Sequence, residues 1–311
     1  YYGTGVVVDA ENGYVVVDRN TVPEAMGDVF LTFAGELEIP AQVEFVHPTH
    51  NLTLLTYDPA LLGDTPVEAV TFREELPAPG DLLWVVGLRG DNKLVYQATE
   101  VASIEPVMFP LSRTMRFRDT NLETLSLING PNTVDGVIVD KRGRVVSLWS
   151  SFAYQGGGEL NQENKGVPAE LVADLVELVR SGEQLRSLEV EWRQMPLSAA
   201  RKFGLSDDGV RRLAEHDPDR RQALTVVRTV AGTPADESLK PGDILLSIDG
   251  VPATRFREVE RAVQKPSVRL EVLRDGEIEE IGLATIALDG RGVRRALMWA
   301  GALLQSPYRD M

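Results

Sequence analysis

Residues 128–140 of the chain read INGPNTVDGVIVD and lead directly into KRGRVVSL at residues 141–148. The second part has the pattern of a β-hairpin, because β-branched residues flank a charged turn that contains glycine. The first part is a Gly/Pro/Asn loop that runs into a strand, a setting in which backbone N–H groups can be presented to a ligand. The stretch therefore predicts a β-rich fold with a ligand-accessible loop at the start of one strand.

The composition is that of an ordinary globular protein with room for two domains. The 311 residues are 43% apolar and 25% charged, so neither disorder nor a fibrous protein is indicated. The net charge of −15 argues against non-specific binding to nucleic acid or to an anionic membrane. Cysteine is absent, which excludes disulfide and thiolate chemistry, and no apolar run approaches the roughly 20 residues of a membrane span. The chain enters a strand pattern at once, without a signal peptide, and we expect a larger parent protein.

The first half of the chain consists of short β patterns separated by turns. We predict strands at residues 6–9, 14–17, 29–33, 41–46 and 52–55. A Pro/Gly/acid-rich crossing at residues 58–66 leads to further strands at 82–88, 95–101 and 125–128 and to the hairpin. Two such groups predict two packed β-barrels. An amphipathic helix at residues 168–180, with Pro168 at its start, and a short linker follow.

A second domain begins near residue 185. It combines a short helix at 196–205, a strand at 224–230, a helix at 256–264 and a hairpin at 268–281. The highly charged residues 207–222 are expected to form a solvated helix and loop. Residues 299–307 loosely repeat the pattern of residues 188–196, as if another such domain began there.

The stretch at 128–148 resembles the nucleophile loop of HtrA/Deg-type serine proteases, GNSGGPLVD followed by a GRVVG hairpin. Aligned through Gly136 and Asp140, it places Val134 where the family has its nucleophilic serine. In the same way residues 13–22 place Asn20 at the position of the histidine, and residues 51–55 place Asn51 at that of the aspartate. The resemblance implies a mainly β fold, a chymotrypsin/trypsin-like double β-barrel followed by an HtrA-type PDZ domain (α+β).

These substitutions predict no catalytic residues at the triad positions. Triad chemistry needs a base, an acid that orients it and an attacking oxygen, whereas asparagine accepts no proton at neutral pH and valine has no nucleophile. A relocated triad remains an alternative, and its candidate residues are His47, His50, Ser126 and Ser147. His47 and His50 have no third ligand pattern nearby, so we predict neither a metal site nor a cofactor.

The second domain resembles the PDZ domains of the same family. Residues 232–235 (GTPA) and 239–250 (LKPGDILLSIDG) carry the resemblance. It implies that an extended peptide is added as a strand beside a helix, in a groove formed by Leu188, Glu189, Val190, Trp192, Phe256, Val259 and Val263. Glu189 stands where the family usually has glycine, and its charge repels a peptide C-terminus. An internal segment of a polypeptide or a neighbouring domain is then an equally good candidate for the ligand. Alternatively, the domain is a spacer that binds no ligand.

We therefore expect a degenerate trypsin-like double β-barrel without its opening strand at 1–167, a helix and linker at 168–184, a PDZ domain at 185–288 and, at 289–311, the start of a further PDZ domain. Double-length HtrA/Deg-like proteins match best, which implies an active protease unit upstream and a non-catalytic module here for assembly or peptide recruitment. The alternatives are an active endopeptidase with relocated residues and a free-standing PDZ adaptor. Expected partners are unfolded or extended peptides and other domains or copies of the parent, as in the family's trimers, with Tyr1 and Tyr2 as contacts. A bacterial member would be periplasmic.

Overall fold

The computed structural model describes residues 2–73, 75–91, 93–109, 119–131, 134–156 and 159–306. The chain divides into two compact units. The first unit comprises Tyr1–Glu183 and Asp289–Met311, and the second comprises Gln184–Leu288. β-Strands predominate in the described parts of both units, so the prediction of a mainly β chain is confirmed.

The first unit begins with an open antiparallel sheet in the order β1-β2-β5-β4-β3, formed by β1 (Val6–Asp9), β2 (Tyr14–Val17), β3 (Val29–Phe33), β4 (Leu37–Val46) and β5 (Thr53–Tyr57). A short 3-10 helix follows at Pro59–Leu62. Strand β2 is apolar at consecutive positions because both of its faces are covered: Val15 and Val17 pack in one cluster and Val16 in another. Gly13 makes the β1–β2 turn with φ of 69°, and a Cβ there would lie 2.1 Å from the carbonyl oxygen of Tyr57.

The second half of this unit is a closed six-stranded barrel in the order β10-β11-β8-β7-β6-β9. Its strands are β6 (Leu82–Arg89), β7 (Leu94–Pro106), β8 (Glu123–Ile128), β9 (Val134–Val139), β10 (Val145–Gly156) and β11 (Glu159–Pro168). Strand β9 closes the barrel by pairing with both β6 and β10. Gly136 is required at this closure, because a Cβ there would lie 2.2 Å from the carbonyl oxygen of Val86. The predicted double barrel is thus a closed barrel next to a five-stranded half-barrel.

Helix α1 (Ala169–Ser181) closes the apolar layer between sheet and barrel. It starts directly after Pro168 and ends at Gly182, whose left-handed conformation lets its N–H donate to the carbonyl of Val179. Leu171 and Leu175 are buried in one cluster with residues of β1, β2 and β10, so the predicted amphipathic face is the packing face. The guanidinium of Arg180 pairs with the buried carboxylate of Asp9 and ties the helix to the end of β1.

Residues 289–306 belong to the same unit. The N–H of Val46 donates to the carbonyl of Gly290 at 2.7 Å, which anchors this segment to the end of β4. Strands β20 (Ala296–Trp299) and β21 (Ala302–Gln305) then form a hairpin whose large apolar side chains are exposed. The interpretation of this segment as the start of a further PDZ domain stays a prediction.

The second unit is built on an antiparallel sheet in the order β13-β14-β15-β17-β18, with β16 paired to β15. The sheet strands are β13 (Val190–Pro196), β14 (Gln222–Thr229), β15 (Ile244–Ile248), β16 (Val251–Pro252), β17 (Ser267–Arg274) and β18 (Glu277–Ala284). A separate two-stranded ladder joins β12 (Arg186–Ser187) to β19 (Ile286–Ala287). The helices are α2 (Leu197–Lys202), α3 (Asp207–His216), α4 (Pro234–Ser238) and α5 (Phe256–Ala262).

Two apolar clusters stabilise this unit. The larger one contains α5 together with residues of β13, β14, β15 and β17, and the smaller one contains α2 and α3. The charged insertion at 207–222 is helical as expected, but it is not simply solvated. Val210 and Leu213 of α3 are buried against α2, because their spacing of three places them on one face of the helix.

Candidate functional site

The two positions matched to the family's histidine and aspartate lie beside the ends of two neighbouring strands of the open sheet. Asn20 follows β2, and Asn51 precedes β5, which is hydrogen-bonded to β2. The Nδ2 atoms of Asn20 and Asn51 each donate a hydrogen bond of 2.7 Å to the carbonyl oxygen of Ser151. Because Ser151 lies on β10, the two asparagines connect the open sheet to the closed barrel.

Asp18 adds a further connection to the same residue. Its Oδ2 accepts the backbone N–H of Ser151 at 3.1 Å and the Ser151 hydroxyl at 3.3 Å, and its Oδ1 accepts the N–H of Thr21 at 2.7 Å. Both the main-chain groups and the side chain of Ser151 are therefore held from the open sheet. We refer to Asp18, Asn20, Asn51 and Ser151 together as the clasp.

The position matched to the serine, Val134, begins β9 opposite Arg89 of β6, and its side chain lies outside the described part of the chain. The pKa of the following residue, Asp135, shows which groups lie near the start of β9. Burial, and then the nearby negative charge of Asp18, raise the pKa of Asp135 to about 6, although Nδ2 of Asn164 donates to its Oδ1 at 3.0 Å. The start of β9 thus lies beside the clasp. The three positions matched to the catalytic triad, Asn20, Asn51 and Val134, therefore lie in the same region of the first unit.

The polar groups of the clasp are engaged in hydrogen bonds within the protein. Asn51 is 2% exposed, and its Oδ1 accepts the N–H of Arg19 at 2.8 Å while its Nδ2 is used on Ser151. An asparagine amide accepts hydrogen bonds through its oxygen but is too weakly basic to take up a proton at neutral pH. The hydroxyl of Ser151 is itself buried and directed at Asp18. The clasp therefore joins β10 to the open sheet and presents no nucleophile at the surface.

The candidates for a relocated triad are mostly buried. His47 and His50 are 7% and 1% exposed, and their rings stack with centroids 4.6 Å apart. Nδ1 of His47 accepts the backbone N–H of His50 at 3.0 Å, which leaves the proton of a neutral ring on Nε2. Ser147 is fully buried, and its hydroxyl donates to the carbonyl of Leu148 at 2.9 Å. Ser126 lies on β8, half-buried, in register with Ser103 of β7.

A second polar cluster, formed by Arg19, His50 and Asp119, lies next to the clasp. Asp119 is buried, and burial raises its pKa to about 7 against the opposing effects of His50, of Arg19 and of a hydrogen bond from the Asn51 N–H. Nη1 of Arg19 also donates to the carbonyl of His47 at 2.8 Å. Sequence reasoning named His50 and missed Asp119, which no local motif marks.

In the second unit, the residues predicted to form the peptide groove are brought together. Strand β13 is an edge of the sheet among the described strands, and α5 packs on the same face. Six of the seven predicted residues belong to a single apolar cluster and are 2–5% exposed: Leu188, Val190, Trp192, Phe256, Val259 and Val263. These side chains therefore pack against one another and fill the space between β13 and α5.

The seventh residue, Glu189, keeps the backbone geometry that glycine favours. Its φ is +60°, in the left-handed region that residues other than glycine rarely adopt. Its N–H donates to Oγ of Ser187 at 2.9 Å, and its carbonyl accepts the N–H of Val230 at 2.9 Å. Nearby, the Gln264 side chain exchanges two hydrogen bonds with the backbone of Arg186, at 2.9 and 2.8 Å. The end of the predicted groove is thus closed by contacts within the domain.

Within the residues that the structure covers, no helix is both long and apolar enough to cross a membrane. The same part of the chain contains no group of three or more His, Asp or Glu side chains placed to hold a metal ion.

Comparison with known proteins agrees with this fold. A PDZ domain profile matches residues 225–274. Protease Do-like 7 of Arabidopsis thaliana is 32% identical over 99% of the chain, and the pro-apoptotic serine protease NMA111 of Saccharomyces cerevisiae is 30% identical over 98%. The solved structure of the HtrA-type protease AlgW with a decapeptide covers 92% of this chain and 82% of its own with a TM-score of 0.60, at 19% identity.

The chain is a relative of the HtrA/Deg-type serine proteases and carries a PDZ domain. The resemblance seen in the sequence is thereby confirmed, as is the trypsin-like fold followed by a PDZ domain. The chain spans 31% of the length of Protease Do-like 7 and of NMA111. The activity of those whole proteins is therefore considered below only as a proposal.

Two residues of the clasp, Asp18 and Ser151, escaped sequence reasoning. Asp18 is separated from the predicted Asn20 by one residue, and an acidic residue directly after the buried strand β2 was an available signal. Ser151 had none, because it stands in a run of strand residues and its contacts in the clasp come from residues 100 to 133 positions away in the chain. Only the folded pairing of sheet and barrel identifies it.

Proposed function

We propose that this chain is a non-catalytic module of an HtrA/Deg-type serine protease, which supports assembly or peptide recruitment for an active protease unit of the parent protein. The observation that carries the proposal is the pair of 2.7 Å hydrogen bonds from Asn20 and Asn51 to the carbonyl of Ser151. The names of the relatives, a Do-like protease and a pro-apoptotic serine protease, support the parent's class.

The chemistry of this pair of hydrogen bonds supports a structural role for the clasp. A carbonyl oxygen has two lone pairs, and both amides use the same one oxygen, so the acceptor is saturated by groups of the protein itself. General-base catalysis needs instead a group that can exchange a proton with substrate. The Nδ2 atoms of Asn20 and Asn51 are instead used in hydrogen bonds that join sheet to barrel.

Labelling with a fluorophosphonate probe and cleavage of unfolded casein test the absence of catalysis. We expect neither labelling nor cleavage by the purified chain, with an HtrA-type protease as the positive control. Labelling that disappears in Ser126→Ala or Ser147→Ala would establish the alternative, an endopeptidase with relocated residues. Loss in Ser126→Ala alone would identify the half-buried hydroxyl as the nucleophile.

The assembly role is tested by sedimentation. Tyr2 is fully exposed at the start of the first unit, and Tyr1 lies outside the described residues. We expect an oligomer of the purified chain that Tyr2→Ala weakens. Tyr96→Ala is the matched control, because Tyr96 is 67% exposed on the closed barrel. A monomer at all concentrations, or equal effects of both substitutions, argues against this role.

Peptide recruitment by the PDZ groove is the second candidate function. Two features favour an internal segment over a free C-terminus: the Glu189 side chain adds negative charge, and the Glu189 N–H is occupied by Ser187. AlgW was solved with peptides bound, which supports peptide recognition in related proteins.

A peptide array in which each sequence has either a free or an amidated C-terminus distinguishes these modes. We expect equal binding of both forms, loss of all binding in Val259→Arg, and a gain for the free acid in Glu189→Gly. A spectrum of folded Val259→Arg by circular dichroism is the control. Complete absence of binding by the wild-type chain would favour the spacer interpretation and leave the assembly role as the function.

A further inference from the structure

Asparagine is followed directly by glycine at two places in the chain. Asn12 and Gly13 lie in the turn between β1 and β2, and Asn129 and Gly130 follow β8. Because glycine has no Cβ, its backbone nitrogen can approach the side-chain amide carbon of the preceding asparagine. Attack at that carbon closes a cyclic imide and expels the side-chain nitrogen as ammonia. Whether such a pair reacts in a folded protein depends on the contacts that hold its two residues.

The first pair is held by its neighbours. Nδ2 of Asn12 donates to Oδ2 of Asp9 at 2.7 Å, and the N–H of Asn12 donates to Oδ1 of the same carboxylate at 3.0 Å. The carbonyl of Gly13 accepts the N–H of Tyr57 at 2.9 Å. The Asn12 side chain would have to leave the Asp9 carboxylate before its amide carbon met the Gly13 nitrogen. The folded structure therefore protects this pair.

The second pair lacks such restraints. Asn129 is exposed, and its φ of +57° is a left-handed conformation that asparagine tolerates but does not prefer. Within the residues that the structure describes, neither the side chain of Asn129 nor the N–H of Gly130 makes a hydrogen bond. The side-chain amide of Asn129 is therefore free to turn toward the nitrogen of Gly130.

One contact of the second pair favours the reaction. Nε2 of Gln97 donates to the main-chain carbonyl of Asn129 at 2.6 Å. When the nitrogen of Gly130 loses its proton, this oxygen shares the negative charge, because both atoms belong to one conjugated peptide group. A donor directed at an atom where negative charge develops stabilises the charged form. Gln97 therefore favours deprotonation of the Gly130 nitrogen, which makes that nitrogen a nucleophile.

We propose that Asn129 is a site of spontaneous deamidation, with the backbone nitrogen of Gly130 as the nucleophile and Gln97 as the group that assists its deprotonation. Hydroxide removes the proton from this nitrogen, which then forms a bond to the side-chain carbon of Asn129. The bond from that carbon to the side-chain nitrogen breaks, and the departing nitrogen takes a proton from water to leave as ammonia, which regenerates hydroxide. Water then opens the imide at either carbonyl and gives aspartate or isoaspartate.

Isoaspartate at this position would disturb the surroundings of Trp149. It adds one atom to the main chain ahead of Gly130, where there is little room, because a Cβ on Gly130 would lie 2.8 Å from Cζ2 of Trp149. The indole Nε1 of Trp149 donates to the carbonyl of Pro131 at 2.8 Å. A longer main chain moves this carbonyl and weakens the hydrogen bond. The modification thus changes the loop that leads to β9, whether or not the chain is catalytic.

Peptide mapping by mass spectrometry, during incubation of the purified full chain in mildly alkaline buffer, tests the proposal. Asn12 is the internal control, and the same incubation in urea gives the rates of both pairs in the unfolded chain. We expect similar rates of the two pairs in urea. In the folded chain Asn129 should convert at least about tenfold faster than Asn12. Conversion of Asn129 no faster than that of Asn12 in the folded chain overturns the proposal.

Gln97→Glu tests the assisting contact. A carboxylate offers no donor and repels the developing charge, so conversion of Asn129 should slow several-fold while the rate at Asn12 stays unchanged. Equal rates at Asn129 in Gln97→Glu and wild type overturn the role of Gln97 and the proposal with it.

The indole N–H resonance of Trp149 measures the structural consequence. It should shift in step with isoaspartate formation in the wild-type chain and stay constant in Asn129→Gln, whose longer side chain closes an imide ring less readily. A resonance that is unchanged in the converted protein overturns the predicted effect on Trp149.

Discussion

The clasp of the first unit and the predicted groove of the second are filled by different kinds of side chain. In the clasp, Asn20, Asn51 and Asp18 meet the backbone of Ser151 through hydrogen bonds. In the groove, six apolar side chains from the β13 region and α5 pack against one another. Both sites direct their side chains into the protein.

The difference determines how each site responds to substitution. An apolar cluster loses the buried area of the removed atoms and is left with a cavity, which typically costs several kcal/mol. A hydrogen-bonded contact loses a smaller net amount unless a buried donor or acceptor is left unsatisfied. We therefore expect substitutions in the groove to lower the free energy of unfolding more than substitutions in the clasp. In the clasp, the loss should depend on whether the substitution leaves a buried donor or acceptor without its partner.

The largest effect is expected in the groove. Phe256 begins α5, is 3% exposed and packs in the larger cluster. Phe256→Ala should lower the free energy of unfolding of the second unit by about 3–5 kcal/mol. Hydrogen exchange of the β15 amides measures this unit by itself. Val251→Ala, at a side chain 63% exposed, is the control and should change stability by less than about 0.5 kcal/mol.

A small effect of Phe256→Ala would contradict the view that the groove is filled by its own side chains. It would indicate that the helix separates readily from β13 and that an open groove is accessible to a peptide. The same experiment therefore bears on the choice between a spacer and a peptide-binding domain.

The next effect concerns pH, at the cluster beside the clasp. Burial raises the pKa of Asp119 from 3.8 to about 7, although His50 and Arg19 oppose the change. The folded chain thus holds this proton to a higher pH than the unfolded chain. The contribution to stability is complete below about pH 4 and is lost as the pH rises to about 7, by at most about 4 kcal/mol. Asp119→Asn should remove most of this dependence.

Urea unfolding of wild type and Asp119→Asn between pH 4 and pH 8 measures the difference. Asp135, whose pKa is raised to about 6, acts in the same direction and should leave a smaller slope in the variant. Identical slopes of both proteins would mean that His50 and Arg19 compensate the carboxylate fully in the folded state.

Much of the fold could be predicted because local signals and burial agree. Strands β1, β2 and β3 have the predicted bounds, since apolar β-branched runs are delimited by turn residues such as Gly13. The polar strand β11 was not predicted. Its sequence, ELNQENKGVP, carries little strand preference, and its full pairing with β10 supplies the structure.

Residues of the candidate sites could be predicted from the sequence only where they lie within a recognisable family motif. Asn20, Asn51 and the groove residues followed from family patterns in the sequence. Ser151 carries no local motif. Its role arises from contacts between segments far apart in the chain, as in the 131 residues between Asn20 and Ser151.

The smallest effects separate the two asparagines of the clasp. Asn51 is 2% exposed and bonds to two partners, the carbonyl of Ser151 and the N–H of Arg19, so Asn51→Ala leaves a buried N–H without its acceptor. We expect a loss of about 2 kcal/mol in the free energy of unfolding. Asn20 is half-buried, and after Asn20→Ala the Ser151 carbonyl still accepts from Asn51, so the loss should be less than about 1 kcal/mol.

The double variant then decides whether the asparagines act as a unit, because removal of both leaves the buried Ser151 carbonyl without either amide. Its destabilisation, measured by urea unfolding of the first unit, should exceed the sum of the single effects by at least about 0.5 kcal/mol. Strict additivity would mean that water replaces the lost donors and that the carbonyl is reached by solvent. If water reaches the carbonyl of Ser151, a substrate could also approach this position. Additivity would therefore weaken the clasp and the proposal of a non-catalytic module together, whereas a coupled pair would support both.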